Sequence, residues 1–264
     1  MYGMSDREIK EVAPSIFAMH PRQDATARYE FIPTIHTIQA MRGAGFYPMA
    51  ARQNKVRQRD PNYCMHSIRF RAPDFARGKD GLIPEAMLIN SHDRTTPYKL
   101  LAGLFRMLCE NGLVVADGPT TSISIKHFGQ GTTAKVIEGS KMVIKQAQKI
   151  GEVAAIWKGI DMTDRQRTRF AIDARTIRFG EGSQIVEPKQ LLDYRRTGDA
   201  GTDLWHTFNV VQENCIKGEL EGSSGKKNRR VRTRAISGIS ADVGINSQLW
   251  GLAERTAKRL LEDA

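Results

Sequence analysis

Phe46-Tyr-Pro-Met-Ala-Ala-Arg-Gln-Asn-Lys-Val-Arg-Gln-Arg-Asp-Pro-Asn-Tyr-Cys-Met-His-Ser-Ile-Arg-Phe-Arg71 is the stretch on which the fold turns. Asp60-Pro-Asn is a turn signal, and it separates two runs that read as strands, Phe46 to Arg59 and Tyr63 to Arg71. Side chains alternate across a strand, so Lys55, Arg57 and Arg59 share one side of the first run. Arg69 and Arg71 share one side of the second, and His66, Ile68 and Phe70 take the other. A loop this short favours antiparallel pairing, because a parallel pair needs a crossover of about a dozen residues. Five cations then stand on one exposed ribbon, with Tyr63 at its tip placed to stack on a base.

Outward from this hairpin, Thr34 is read as the N-cap of a short helix with Ile35, Ile38 and Met41 on one face, stopped by Gly43 and Gly45. Glu85 to Asn90 reads as a third strand. Thr96-Pro97 opens an expected helix to Asn111-Gly112, with Leu100, Leu101, Leu104, Phe105 and Leu108 as its apolar stripe. His66, Ile68 and Phe70 would pack on that helix and leave the arginines outward. Ser122 to Lys126 alternates like a short strand.

Helices are expected over roughly 134–158, from Thr163 (with Gln166 at capping-box spacing) to Arg178, over Pro188–Arg195, over Asp203–Ile216 and over roughly 246–262. In the last, Leu249, Trp250, Leu252, Ala253, Leu260 and Leu261 would face inward. Gly222-Ser-Ser-Gly225 reads as a flexible connector. The fold class is therefore α+β: a helix, a three-stranded antiparallel sheet and a helix as core, followed by a largely helical C-terminal half. The expected division is an irregular arm over 1–30, an α/β core over 31–130, and a mostly helical region over 131–264.

The chain has 264 residues, a net charge of +11 and 40% hydrophobic residues, enough to bury a core and too apolar for wholesale disorder. No run approaches the roughly 18 apolar residues of a membrane span. No secretory leader is evident behind Met1, and three scattered cysteines (Cys64, Cys109, Cys215) suit a reducing cytoplasm. The charge is concentrated. Residues 52–79 hold eight bases against two acids, a local +6, and residues 217–234 hold seven against two, a local +5, so the remaining chain balances to zero. The second stretch, Lys226-Lys227-Asn-Arg229-Arg230-Val-Arg232-Thr-Arg234, alternates at two-residue spacing. It suits either an arm that orders on an anionic strand or an edge strand guarded by charge. Two such stretches point to nucleic acid.

Catalytic constellations are weaker. Ser91-His92-Asp93 is one histidine–aspartate pair, and it also suits a polar turn with Asp93 capping. Cys64 and His66 share a strand side but fall short of the three or four ligands of a zinc site. His206 and Glu213 lie on an amphipathic helix beside Gln212 and Asn214, which suit buried backbone partners. No glycine pattern cradles a phosphate. No cofactor and no enzyme activity are expected. A metal-dependent nuclease or hydrolase using His66, His92 and Asp93 stands as a third reading.

Leu88-Ile-Asn-Ser-His-Asp93, Ala102-Gly-Leu-Phe-Arg-Met-Leu-Cys-Glu-Asn-Gly-Leu-Val-Val115, Leu204-Trp205, Phe208-Asn209, Gln212-Glu-Asn214 and Leu249-Trp-Gly-Leu-Ala-Glu254 resemble the YafZ/YfjQ-like proteins, a phage- and plasmid-borne family of unknown function, over roughly 28–260. After Ser-His-Asp the family has Gly where this chain has Arg94.

The order helix, three strands, helix, with Gly103-Leu104, Arg106, Leu108 and Gly112, also resembles the core of Redβ- and Sak-type single-strand-annealing recombinases. That resemblance implies a cationic groove using Lys55, Arg57, Arg59, Arg69 and Arg71 of the hairpin and Lys99 and Arg106 of the following helix, and Arg52, the first base of the 52–79 stretch, joins the expected nucleic-acid contacts. It further implies single-stranded DNA as partner, a homo-oligomeric ring or filament, and a nuclease or host single-strand-binding protein as a further partner. The expected function is a non-enzymatic single-stranded-DNA-binding protein that promotes annealing in phage or plasmid recombination. The alternative is a protein whose basic patches meet an acidic host defence or replication factor.

Overall fold

A computed structural model of the chain describes residues 2–22, 31–55, 60–73, 82–93, 98–106, 111–115, 122–125, 132–224 and 229–263. It forms two compact units, Met1–Ile150 and Gly151–Ala264. The architecture is mixed α and β, with an antiparallel sheet and a helical C-terminal half.

The sheet of the first unit has six strands rather than three. β1 (Tyr47–Gln53), β2 (His66–Arg71), β3 (Leu82–Asn90), β4 (Tyr98–Arg106) and β5 (Asn111–Val115) lie side by side in chain order, and β6 (Ser122–Ile125) also pairs with β4. Every pairing is antiparallel. The expected helix from Thr96 is β4. Its residues Tyr98, Leu100, Ala102 and Leu104 are buried on one face, and Leu101 is buried on the other. A strand covered on both faces reads as a continuous apolar run, which short-range periodicity does not separate from a helical stripe. Asn111-Gly112, read as a helix stop, opens β5.

His66, Ile68 and Phe70 therefore pack not on a helix from 97 but beneath helices from elsewhere in the unit. α2 (Thr34–Gly43) buries Ile35, Ile38 and Met41, as its spacing predicts. α3 (Thr132–Lys158) approaches β4 so closely that a Cβ on Gly139 would lie 2.8 Å from Leu100 Cδ1. Only a residue without a side chain fits there without a shift.

Residues 5–17 are not an irregular arm. α1 (Asp6–Val12) begins with a capping box in which Glu8 N–H donates to Ser5 Oγ and Ser5 N–H donates to Glu8 Oε2. A 3-10 turn, Pro14–Phe17, follows.

The second unit is organised around aromatic rings. α4 (Asp164–Phe179) starts on the predicted capping box, Thr163 with Gln166. The expected helix over 188–195 is a 3-10 turn, Pro188–Leu192. α5 (Leu204–Lys217) and α6 (Ile239–Glu262) follow the amphipathic patterns, α6 starting seven residues earlier than its apolar periodicity shows. Leu249, Trp250, Leu252 and Ala253 face inward as expected, but Leu260 is half-buried and Leu261 is exposed where the helix outruns the core. Trp157 lies 4.4 Å from Trp250 and 5.6 Å from Phe208 between ring centroids, and Trp205 stacks on Phe208 at 5.9 Å. Each such contact adds about 0.5–1.5 kcal/mol beyond its buried area. No helix among the described residues is long and apolar enough to cross a membrane.

Candidate nucleic-acid interface

The clearest cationic surface lies in the second unit. β7 (Glu221–Ser224) and β8 (Arg229–Arg232) form an antiparallel hairpin. The Gly-Ser-Ser segment is thus mainly strand rather than connector. Gly222 runs so close to Ile185 that a Cβ there would lie 1.7 Å from the Ile185 carbonyl oxygen, and Ser223 N–H donates to that oxygen at 3.0 Å. Directly opposed residues share a face, so Val231, paired with Gly222, looks the same way, toward Ile185. Arg230 and Arg232, paired with Ser223 and Glu221, look the opposite way. Both are exposed, as are Arg229 and Arg234. The backbone carbonyl of Arg234 accepts from Arg178 Nη2 at 2.9 Å, which fixes the end of the row while its own side chain stays exposed. Lys226 and Lys227 lie outside the described residues.

The first basic stretch is arranged differently from the sequence reading. β1 and β2 do pair antiparallel, with a bulge between Pro48 and Ala50. β1 ends at Gln53, so Lys55 lies beyond it, exposed, and Arg57 and Arg59 lie outside the described residues. Arg69 and Arg71 are not outward cations. Both turn onto the Glu85 carboxylate of β3, which is 2% exposed: Arg69 Nη2 is 2.5 Å from Oε2 and Arg71 Nε donates to Oε1 at 2.6 Å. On the same sheet face Ser67, Met87, Ile89 and Leu101 are buried, so the face opposite α2 and α3 is no open cationic platform. Register places half-buried Arg52 opposite Ser67, Ser67 opposite Ile89, and Ile89 opposite exposed Lys99. Arg52 and Lys99 thus share one cross-strand row, which runs on from Lys99 to Ser124 of β6. Lys99 and Arg106 are strand rather than helix residues. Tyr63 is half-buried in a 3-10 turn, Pro61–Tyr63, capped by Asp60.

The histidines form a buried polar chain that the sequence only hinted at. His66, on the α2 side of β2, sits between Ser15 Oγ at 2.9 Å and Thr34 Oγ1 at 2.9 Å. The Cys64 carbonyl, 3.0 Å from Nδ1, can only accept, so Nδ1 carries the proton. Thr34 then donates to His66 Nε2 and accepts from Asn90 Nδ2 at 3.0 Å and His92 Nε2 at 3.3 Å. Thr34 is accordingly not the N-cap of α2, which Pro33 occupies. Burial pushes the His66 imidazole down to about 4, against the raising effects of Cys64 O and Asp93. His92 packs 5.0 Å from His66 and 4.8 Å from Phe31 between centroids. Among the described residues, no three His, Cys, Asp or Glu side chains converge as a metal would require. The cluster ties the 3-10 turn, α2, β2 and the end of β3 together.

In the second unit, Glu213 receives Arg196 and Lys217, and Asn214 Nδ2 donates to the Leu191 and Asp193 carbonyls, so Glu213 and Asn214 hold the 188–199 segment on α5, while Gln212 donates not to backbone but to the Asn246 side chain of α6 at 2.8 Å. His206 closes on Asp203 at 2.6 Å, at the N-cap of α5.

Comparison with known proteins agrees over nearly the whole chain. A family model described as a domain of unknown function (DUF932) matches residues 23–250. The chain is 35% identical over 258 residues to UPF0380 protein YfjQ of Escherichia coli (strain K12), covering 97% of this chain and 93% of that protein. It is 36% identical over 260 residues to UPF0380 protein YafZ of the same organism, with the same coverage. No solved structure matches the chain. Matched over residues 23–250 by that model and over 97% of its length by both relatives, the chain belongs to the DUF932 family.

Proposed function

We propose that the protein binds single-stranded DNA through its phosphates and promotes annealing of complementary strands. The observation that carries the binding is the outward row Arg230–Arg232 on β8, with Arg229 and Arg234 beside it and Ser223 and Glu221 facing it across the hairpin. Arginines at two-residue spacing present forked donors along one line, which suits a repeating phosphate backbone better than a compact ligand. Such contacts neutralise and extend a strand while leaving its bases free for a complement. The annealing step rests on the resemblance to annealing recombinases.

The test is fluorescence anisotropy with labelled oligo-dT and with duplex across salt concentrations, alongside annealing of complementary oligonucleotides. Steeply salt-dependent binding, little sequence preference and faster annealing are expected. Binding without annealing would reduce the role to strand protection. No binding to either nucleic acid would turn attention to an acidic protein partner.

A further inference from the structure

α4 and α6 pack together in the second unit, and beside their contact lies an open groove of about 610 Å³. Asp164, Arg165, Thr168, Arg169 and Ile172 of α4 and Arg259 of α6 line it. Residues 165, 168, 169 and 172 recur at three- and four-residue spacing, so they form one helix face. Three guanidinium groups therefore meet at one concavity, and all three are exposed.

Their charge is only partly answered. Arg169 Nε bonds Asp173 at 3.2 Å, an exposed pair of the kind that yields readily to another anion. Asp164 lies 3.5 Å from Arg167, which does not line the groove. Arg165 and Arg259 have no ion-pair partner among the described residues. Like charges gathered from two helices repel, and an anion between them removes that repulsion. We infer that the α4–α6 groove is a second binding site for a phosphodiester of a nucleic-acid strand.

The chemistry favours phosphate over carboxylate on three grounds. Every cation is arginine, whose planar fork grips phosphate oxygens in pairs. The Thr168 hydroxyl adds a neutral donor, and Ile172 offers an apolar patch against which a sugar or base face rests. All three arginines are exposed, so a ligand here stays open to solvent, which suits a passing strand better than a small molecule that a dedicated pocket buries by about 70–90%. Nothing in the charge runs pointed here, because Arg165, Arg169 and Arg259 lie outside both basic stretches.

The inference rests on the single-stranded-DNA reading, and the two fail differently. In the full-length protein, R165Q/R259Q is expected to weaken oligo-dT binding about tenfold and to flatten the salt dependence by about 1.4 log units per log unit of salt, at roughly 0.7 per phosphate contact for single strands. R165K/R259K, which keeps the charge and loses the fork, is expected to keep the salt slope and recover part of the affinity. The thermal midpoint should not move in either variant, since both side chains are exposed. Unchanged affinity and slope in R165Q/R259Q, with binding lost in R230A/R232A, would overturn the groove and leave the hairpin reading standing. A wild-type protein that ignores oligo-dT at every salt concentration and binds polyglutamate would overturn both.

Discussion

Arg71 Nε donates to Glu85 Oε1 at 2.6 Å, from a guanidinium whose side chain is 13% exposed to a carboxylate that is 2% exposed. Arg69 occupies the other oxygen of the same group. One buried acid thus holds two cations that strand alternation alone assigns to a free surface. Removing it strands both positive charges. Glu85→Gln is expected to cost about 3 kcal/mol of unfolding free energy in urea titration. A change below about 0.5 kcal/mol would mean the arginines find other partners.

Arg230→Ala/Arg232→Ala should weaken oligo-dT binding and lower the salt slope by about 1.4, with the urea midpoint unchanged because both side chains are solvated. Arg69→Ala/Arg71→Ala should do the reverse, lowering stability with little loss of binding beyond that due to unfolding. Anisotropy and urea titration on both double variants separate the two roles. Equal effects on binding would restore the sheet face as part of the interface.

His66 stays neutral in the folded protein down to about pH 4, whereas an unfolded histidine takes up its proton near pH 6.5. Below pH 6.5 the unfolded chain binds the extra proton first, so stability from this group is present at pH 7 and is lost progressively toward pH 4. Between pH 7 and pH 5 the loss is about 2 kcal/mol. His66→Gln, which removes the titration, should make the urea midpoint less sensitive to pH over that window. An unchanged pH dependence in the variant would assign the effect to another group.

Cys215 is buried on α5, and burial pushes its thiol up to about 12. A thiol of this kind does not ionise at neutral pH and has no access to reagent. Iodoacetamide should label it only after denaturant is added, at the rate of unfolding rather than of alkylation. Rapid labelling of the native protein, mapped to Cys215 by mass spectrometry, would contradict the packing of α5.

The helical half was legible because its signals are local. Thr163 with Gln166 and the amphipathic stripes of α5 and α6 each lie within a few turns of chain. The sheet was half legible. β1, β2 and β3 carried turn residues between them, but β4 was read as a helix because its apolar run is buried on both sides. The same non-local cause hid the fate of Arg69 and Arg71. Glu85 sits fourteen residues beyond Arg71, and only the β2–β3 register brings them together. An acid inside Leu82-Ile-Pro-Glu-Ala-Met-Leu-Ile-Asn90 was the available sign. The groove arginines left no sign, because helix faces from residues about ninety apart meet only in the fold.

One long strand with two short companions bears on how copies of the chain would meet. The outer side of β4 is shared end to end, β6 pairing with Tyr98–Leu101 and β5 with Ala102–Arg106. The opposite border, β1, carries Pro48 and a bulge, and the Met4 N–H already donates to the Pro48 carbonyl at 2.7 Å. Short, kinked or covered borders resist the docking of a neighbour's strand. A ring or filament of this protein would accordingly not be joined by a neighbour's strand docking on either border of this sheet.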